Sequence, residues 1–273
     1  MASIPNSAYV HALLAGVTAN RRRLWRGLVL PAVLLITWAV ATTWHLVDTR
    51  IMVSPWQVVQ TAWTETISGH VLLGLGYSIS RNLTGFAIGG LLGILVGTLL
   101  GTSRLAEKLL GPTFNAVKQI ALFAWIPLLS VWFGMGEPAK VALIALAVFY
   151  PVVVNTFEGI RSVSRDFIEV GRAFEFSRWQ LYRRVILPSA TPQIFTGLHL
   201  ALIYSWLATV GAEYFLKAGP GIGNIMIDGR ERFRMDQVIF GVVIIGTVGF
   251  IYNRIATTIE GRLLRWRQRV QPA

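Results

Sequence analysis

Six stretches of the chain are apolar for about the width of a bilayer. They run from about Leu28 to Val47, Leu83 to Leu100, Ala116 to Phe133, Val141 to Phe157, Leu198 to Leu216 and Val238 to Thr258. A helix needs roughly 20 such residues to cross a hydrocarbon core of about 30 Å, so each stretch predicts a spanning helix. Between the first two, Asp48 to Asn82 is patchier: Pro55 and polar residues break up the apolar positions from Val58 to Ile67. That pattern predicts a surface or interfacial helix whose tail runs into the second span. Pro127 lies inside the third stretch, where a missing backbone donor predicts a bend, and Glu137 and Lys140 fall in the short turn expected after it. No internal repeat and no Pro-rich or Ser-rich linker divides the chain. The expected fold is all-α, a polytopic membrane domain of six helices over 28–260, with a short segment 1–27 before it and a basic tail 261–273 after it.

Composition supports this reading. The 273 residues are 54% hydrophobic and 14% charged, too apolar for a solvated globular surface. The net charge of +12 comes from clusters between the apolar stretches, which places the basic residues as loop anchors rather than as a nucleic-acid surface. Across six alternating spans, 18 of the 25 Lys and Arg residues fall on the side that holds both termini. The positive-inside rule then predicts cytoplasmic termini and a cytoplasmic 161–188 loop. Arg21, Arg22, Arg23 and Arg26 precede the first stretch as in a secretory signal, but the stretch is too long and no small-residue cleavage site follows, so an uncleaved helix is expected. With no cysteine, disulfides, thiolate catalysis and Cys-based metal sites are excluded.

The loop between the fourth and fifth stretches is too patterned for a plain connection. Phe167, Val170 and Phe174 repeat at helical spacing while Arg165, Glu169 and Arg172 fall elsewhere on the wheel, which predicts a short amphipathic helix. Ser164 is placed as its N-cap, with Asp166 in the first turn. A second start follows at Ser177-Arg178-Trp179-Gln180, a capping-box pattern leading into Trp179, Tyr182 and Ile186, and Pro188 ends this helix or bends it toward the membrane. A two-helix knob with exposed aromatics and arginines fits a cytoplasmic groove; an amphipathic hairpin on anionic lipid is the competing reading.

These residues resemble the conserved loop of binding-protein-dependent ATP-binding-cassette permeases, Glu-Ala-Ala, three residues, Gly, nine residues, Ile-x-Leu-Pro. Here the chain has Glu169-Val170-Gly171, then Arg172-Ala173-Phe174, Glu175, nine residues, and Val185-Ile186-Leu187-Pro188. Glu175 stands where the family has glycine; if that position is left-handed, a non-glycine costs roughly 1 to 2 kcal/mol there. The resemblance implies a type I importer permease fold with this loop as coupling helix. It places Glu169, Gly171, Arg172, Phe174, Glu175, Phe176, Ser177 and Arg178 at an ATPase subunit. It further implies an assembly of two permeases, two ATPases and one periplasmic binding protein in the bacterial inner membrane, with the path at the permease dimer interface. The sequence has no Gly-Lys-Ser/Thr phosphate loop, so the ATP is expected on the partner subunit and no cofactor on this chain.

Within the apolar stretches, Gly85, Gly89, Gly93, Gly97 and Gly101 recur every four residues and predict close helix packing, in this chain or against a second copy. Glu213 lies in the outer part of the fifth stretch, where a carboxylate needs a partner or water; an ion pair, a gate and a proton relay all fit. Ser130, Asn155, Ser205, Thr209 and Glu213 are candidates to line a passage, though such side chains also bridge helices. His199 is expected as an interfacial polar residue. The segment from Lys217 to Asp236 reads as a glycine-rich then charged loop, for a binding protein or an outer gate. Three segments are similar to the permeases for aliphatic sulfonates, taurine, nitrate and bicarbonate: Arg50 to Pro55, Trp125 to Gly134, and Ala212-Glu213 with Gly219-Pro220-Gly221-Ile222-Gly223 and Asp236. The resemblance implies a small anion as cargo. A secondary transporter would carry mid-span ionisable residues and paired repeats, and a membrane enzyme would need convergent His, Asp or Glu; neither pattern stands out.

Overall fold

The structure is a computed structural model, and it describes residues 29–48, 52–217 and 219–263. The segment 1–27 with its four arginines, Leu28, Arg50, Ile51 and the tail from 264 onward lie outside the described residues. Every regular element among the described residues is helical. An apolar helix α1 (Val29–Thr43) is followed by α2 (Pro55–Ile67), which starts at a capping box between Ser54 and Gln57. Helix α3 (His70–Thr102) follows almost at once. After α4 (Arg104–Val117) come a 3₁₀ turn (Leu122–Trp125) and α5 (Ile126–Phe133). Next are α6 (Glu137–Arg161), α7 (Arg165–Ala173), α8 (Arg178–Leu181), a π turn (Tyr182–Ile186) and α9 (Leu187–Phe215). The described chain ends with α10 (Ile222–Glu231) and α11 (Met235–Leu263).

Four helical stretches are long and apolar enough to cross a bilayer: α3, α6, α8 through α9, and α11. A bent pair, α4 with the 3₁₀ turn and α5, makes a fifth if taken as one span. The third apolar stretch is therefore not a straight helix. It turns by 95° between Val117 and Leu122, upstream of the proline expected to bend it. Pro127 sits in the first turn of α5, where no intrahelical N–H is required, so it starts that helix instead of breaking one.

The core is a three-helix slab in which α3 and α6 run parallel and α9 runs back antiparallel against both. Gly85, Gly93 and Gly97 lie so close to α6 that a Cβ on them would come within 2.6 to 2.7 Å of Ile144, Val152 and Thr156. At Gly89 and Gly101 the corresponding approaches are 2.8 Å to Val148 and 2.9 Å to Ile160. The ridge thus meets an i, i+4 row of α6 in the same chain. Helix α9 packs against α6 with small residues, Ala190, Ala201, Ala208 and Ala212 all being fully buried.

Two further expectations change. Of the two readings of Pro188, the stop is excluded: α8, the π turn and α9 form one continuous stretch. Pro188 offers no N–H to Arg184 and its ring crowds that carbonyl, and the turn just upstream is widened, with the Leu187 N–H reaching back five residues to the Tyr182 carbonyl. The segment after Lys217 is not a loop but mostly α10, which folds back on α9, α11 and α3 and buries Ile222 and Ile227.

Candidate functional site

Two sites stand at opposite ends of the slab. At the end where α6 runs out lies the α7–α8 knob. The Ser164 Oγ accepts the Asp166 N–H and opens α7, and the Ser177–Gln180 capping box opens α8. Between them the chain makes a two-bond helix stop: the Phe176 N–H donates to the Gly171 carbonyl at 3.1 Å and the Glu175 N–H to Arg172 at 2.9 Å. The residue this motif holds left-handed is Glu175, at φ 55°. The turn is thus the one glycine favours, built with glutamate. Gly171 faces inward, where a Cβ would come within 2.6 Å of Leu181. Outward, Glu169 and Arg172 are exposed, as are Val170, Phe174 (71%) and Trp179 (66%). Phe176 packs near Phe174 and beneath the Arg184 guanidinium, 5.5 Å away, and Trp179 stacks on Tyr182. The knob is internally tied, and much of Val170, Phe174 and Trp179 is left facing solvent. Replacing Glu175 by Gly relieves the left-handed strain, so E175G is expected to raise stability by about 1 kcal/mol. A higher amide protection factor at Phe176, whose N–H closes the motif on Gly171, would report it, and an unchanged or lower one would count against it.

At the other end, charges converge inside the bundle. Arg81 of α3, placed by the sequence in a loop, is buried, and its Nη1 pairs with Glu213 of α9. The Ser78 Oγ donates to Glu213 Oε1 at 2.6 Å and accepts the Ile222 N–H at 3.2 Å, while the Gly223 N–H donates to Glu213 Oε2 at 2.8 Å. The carboxylate of α9 thereby caps the start of α10. This contact needs small residues opposite, because a Cβ on Gly221 or Gly223 would approach Glu213 to 2.6 Å. Arg81 also grips Glu137, the first residue of α6, and reaches the Pro220 carbonyl at 3.3 Å. Lys140, with its Nζ 3.8 Å from Glu137 Oε1, is fully buried. Glu137 and Lys140 therefore belong to the first turns of α6, not to a connecting turn. Two cations and two carboxylates balance here, as buried charge requires.

One turn deeper, the Asn82 Nδ2 donates to Ser205 at 3.1 Å and to Thr209 at 2.9 Å, tying α3 to α9. Asn155 stands apart, accepting from Gln193 Nε2 at 3.1 Å, and Ser130 donates to the Pro127 carbonyl at 2.8 Å. Of the five passage candidates, Ser205, Thr209 and Glu213 lie together in one line along α9, while Asn155 and Ser130 do not join them. His199 bridges α9 to α11, its two ring nitrogens each 3.0 Å from Glu260 and Asn253. Ser78, Arg81, Asn82, Glu137 and Lys140 were not among the candidates. The signal that could have found Arg81 was Glu213 itself, because a carboxylate in an apolar stretch calls for a cation.

The comparisons agree with this architecture. Residues 89–265 match the family described as binding-protein-dependent transport system inner membrane component. A permease protein of Bacillus subtilis named for aliphatic sulfonates transport, SsuC, is 36% identical over 242 residues, covering 89% of this chain and 87% of the relative. The bicarbonate transport system permease protein CmpB of Synechococcus elongatus is 35% identical over 188 residues, 69% of this chain and 68% of its own. The nitrate import permease protein NrtB of Leptolyngbya laminosa is 32% identical over 219 residues, with 77% and 78% covered. Among solved structures, an amino acid ABC transporter with histidines superposes with a TM-score of 0.62 at 18% identity, covering 74% of this chain and 97% of that one. The MetNI methionine ABC transporter, in an inward-facing form, gives a TM-score of 0.57 at 19% identity, with 71% and 98% covered. A parallel α3–α6 pair crossed by α9, a capped knob on one end and a matched family sequence through both make this chain a member of the binding-protein-dependent inner-membrane components, the permease subunits of ABC importers.

Proposed function

We propose that this permease moves a small oxyanion into a bacterial cell, as a homodimer joined by two ATPase subunits and served by one periplasmic binding protein. In this arrangement both termini and the knob face the cytoplasm, and the charged cluster around Arg81 faces the periplasm. The observation that carries the reading is the knob, a locally ordered α7–α8 unit that presents Val170, Phe174 and Trp179 to solvent beside Glu169, Arg172 and Arg178. An aromatic and charged face of this kind fits a groove on a water-soluble partner, and the resemblance makes that partner the ATPase. Hydrolysis of ATP then belongs to the partner. The cargo class is supported by the three relatives, whose names refer to aliphatic sulfonates, bicarbonate and nitrate. Ser205 and Thr209 act here as interhelical ties, since both are fully buried on Asn82.

The test is charge reversal on the exposed knob. In E169R, ATP-dependent uptake of a labelled sulfonate or nitrate into proteoliposomes with the cognate ATPase and binding protein is expected to fall more than about tenfold, the effect of roughly 1.4 kcal/mol at the docking face. The folded permease should be recovered in the usual amount. Full uptake with full ATPase recovery in E169R would remove the docking role. Uptake that an ion gradient drives without ATP would remove the importer reading altogether.

A further inference from the structure

The Arg81 guanidinium holds two carboxylates in different surroundings. The Glu213 side chain is 1% exposed, whereas that of Glu137 is 49% exposed. Glu137 is held by two parallel bonds, from Arg81 Nε to Oε2 at 2.6 Å and from Nη2 to Oε1 at 2.5 Å. It follows Gly134-Met135-Gly136, with Gly134 at φ 74°, so the backbone just before it is permissive. On its far side stands Gly219, where even a Cβ would lie only 3.1 Å from Glu137 Oε1. Lys140 Nζ is near the same oxygen.

We propose that Glu137 is a tethered stand-in for the cargo, and that Arg81 with Lys140 forms an oxyanion seat which a sulfonate-, nitrate- or bicarbonate-type anion enters as Glu137 swings out. The proposal rests on the anionic-cargo reading above. Such anions present two oxygens on one edge, as a carboxylate does, and so accept the same pair of guanidinium bonds. Charge also balances: Arg81 and Lys140 face Glu213 and Glu137 before the exchange, and Glu213 and a monoanion after it. Glu137 keeps the seat neutral when it is empty, which buried cations require. A competitor fixed to the chain also keeps the seat weak, as transport needs, because cargo must leave it again.

The experiment is thermal unfolding of the purified permease–ATPase complex, wild type and E137Q, titrated with sodium methanesulfonate, sodium nitrate, or sodium chloride at matched ionic strength. In E137Q the competitor is neutral, and a rise of about 5 °C is expected between 1 and 100 mM methanesulfonate or nitrate. Chloride, which lacks a two-oxygen edge, should give less than half of that, and the wild type should respond less than E137Q. Equal responses to chloride and oxyanion, or equal responses of the two proteins, would overturn the seat. If E137Q does not survive purification in chloride, its recovery in 100 mM methanesulfonate supports the seat, and equal failure in both salts overturns it. The cargo reading fails separately, when wild-type proteoliposomes take up none of the oxyanions with ATP.

Discussion

Replacing Arg81 by Met is expected to cost the permease about 3 to 5 kcal/mol, enough to lose most of the folded protein from the membrane. The methionine fills similar space but leaves the Glu213 carboxylate deep in the bundle, with the Ser78 hydroxyl and the Gly223 N–H as its remaining hydrogen-bond donors. It also frees Glu137 and the Pro220 carbonyl from the guanidinium that joins them. Four elements meet at this one side chain: α3, α6, α9 and the start of α10. The loss therefore spreads beyond a single pair. The control is the double replacement R81M/E213M, which removes both charges and should regain only the part of the loss that comes from an unpaired Glu213, because an apolar pair is tolerated where half an ion pair is not, while the ties to Glu137, Pro220 and the start of α10 stay lost. Monodisperse yield and the denaturant midpoint in detergent measure both variants. A single R81M as stable as the wild type would mean that Glu213 is satisfied by other groups.

The reason Arg81 escaped a reading of the sequence is physical. Hydropathy assigns a cation at the edge of an apolar stretch to the water outside, and its partner Glu213 is 132 residues further along the chain. Periodicity sees one helix at a time, whereas a buried ion pair exists only once two helices have met. Asn82 and Lys140 were lost for the same reason, both being fully buried by helices remote in sequence. The knob was legible because its determinants are local: Ser164, Ser177 and Gln180 act within three residues of themselves. Glu175 was legible up to a choice, since its position marks a left-handed residue but only the backbone tells whether glutamate accepts it. Helix breaks read less well. The 95° turn between Val117 and Leu122 lies in Lys118-Gln119-Ile120-Ala121, which holds neither proline nor glycine, and Pro127 drew the bend to itself. At Pro188 the sequence left a stop and a bend open, and a widened turn carries the helix through it.

The glycine ridge sets the second large effect. Gly89 is the tightest position of the α3–α6 contact: a Cβ there would run into the backbone carbonyl of Ala145 and come within 2.8 Å of the Val148 Cβ. Neither is the loose end of a side chain. A backbone carbonyl in mid-helix can retreat only if the whole helix does, so G89L is expected to push α3 away from α6 along the ridge from Gly85 to Gly101. Overpacking of this kind costs about 3 kcal/mol or more. At Gly76, on the same helix, no atom of the described residues beyond its own helical turns lies within 4 Å of where a Cβ would stand, and G76A should be nearly silent. The row that receives the ridge, Ile144, Val148, Val152, Thr156 and Ile160, is itself β-branched at every fourth position. Trimming it opposite the insertion should give no rescue: V148A keeps the Cβ that the new methyl meets and leaves the Ala145 carbonyl in place, so G89A/V148A is expected to be no more stable than G89A. Thermal unfolding of the four proteins in detergent decides the matter. Recovery of wild-type stability in the double mutant would show that the Ala145 carbonyl is not what a side chain at Gly89 meets, and would undo the α3–α6 packing on which both sites depend.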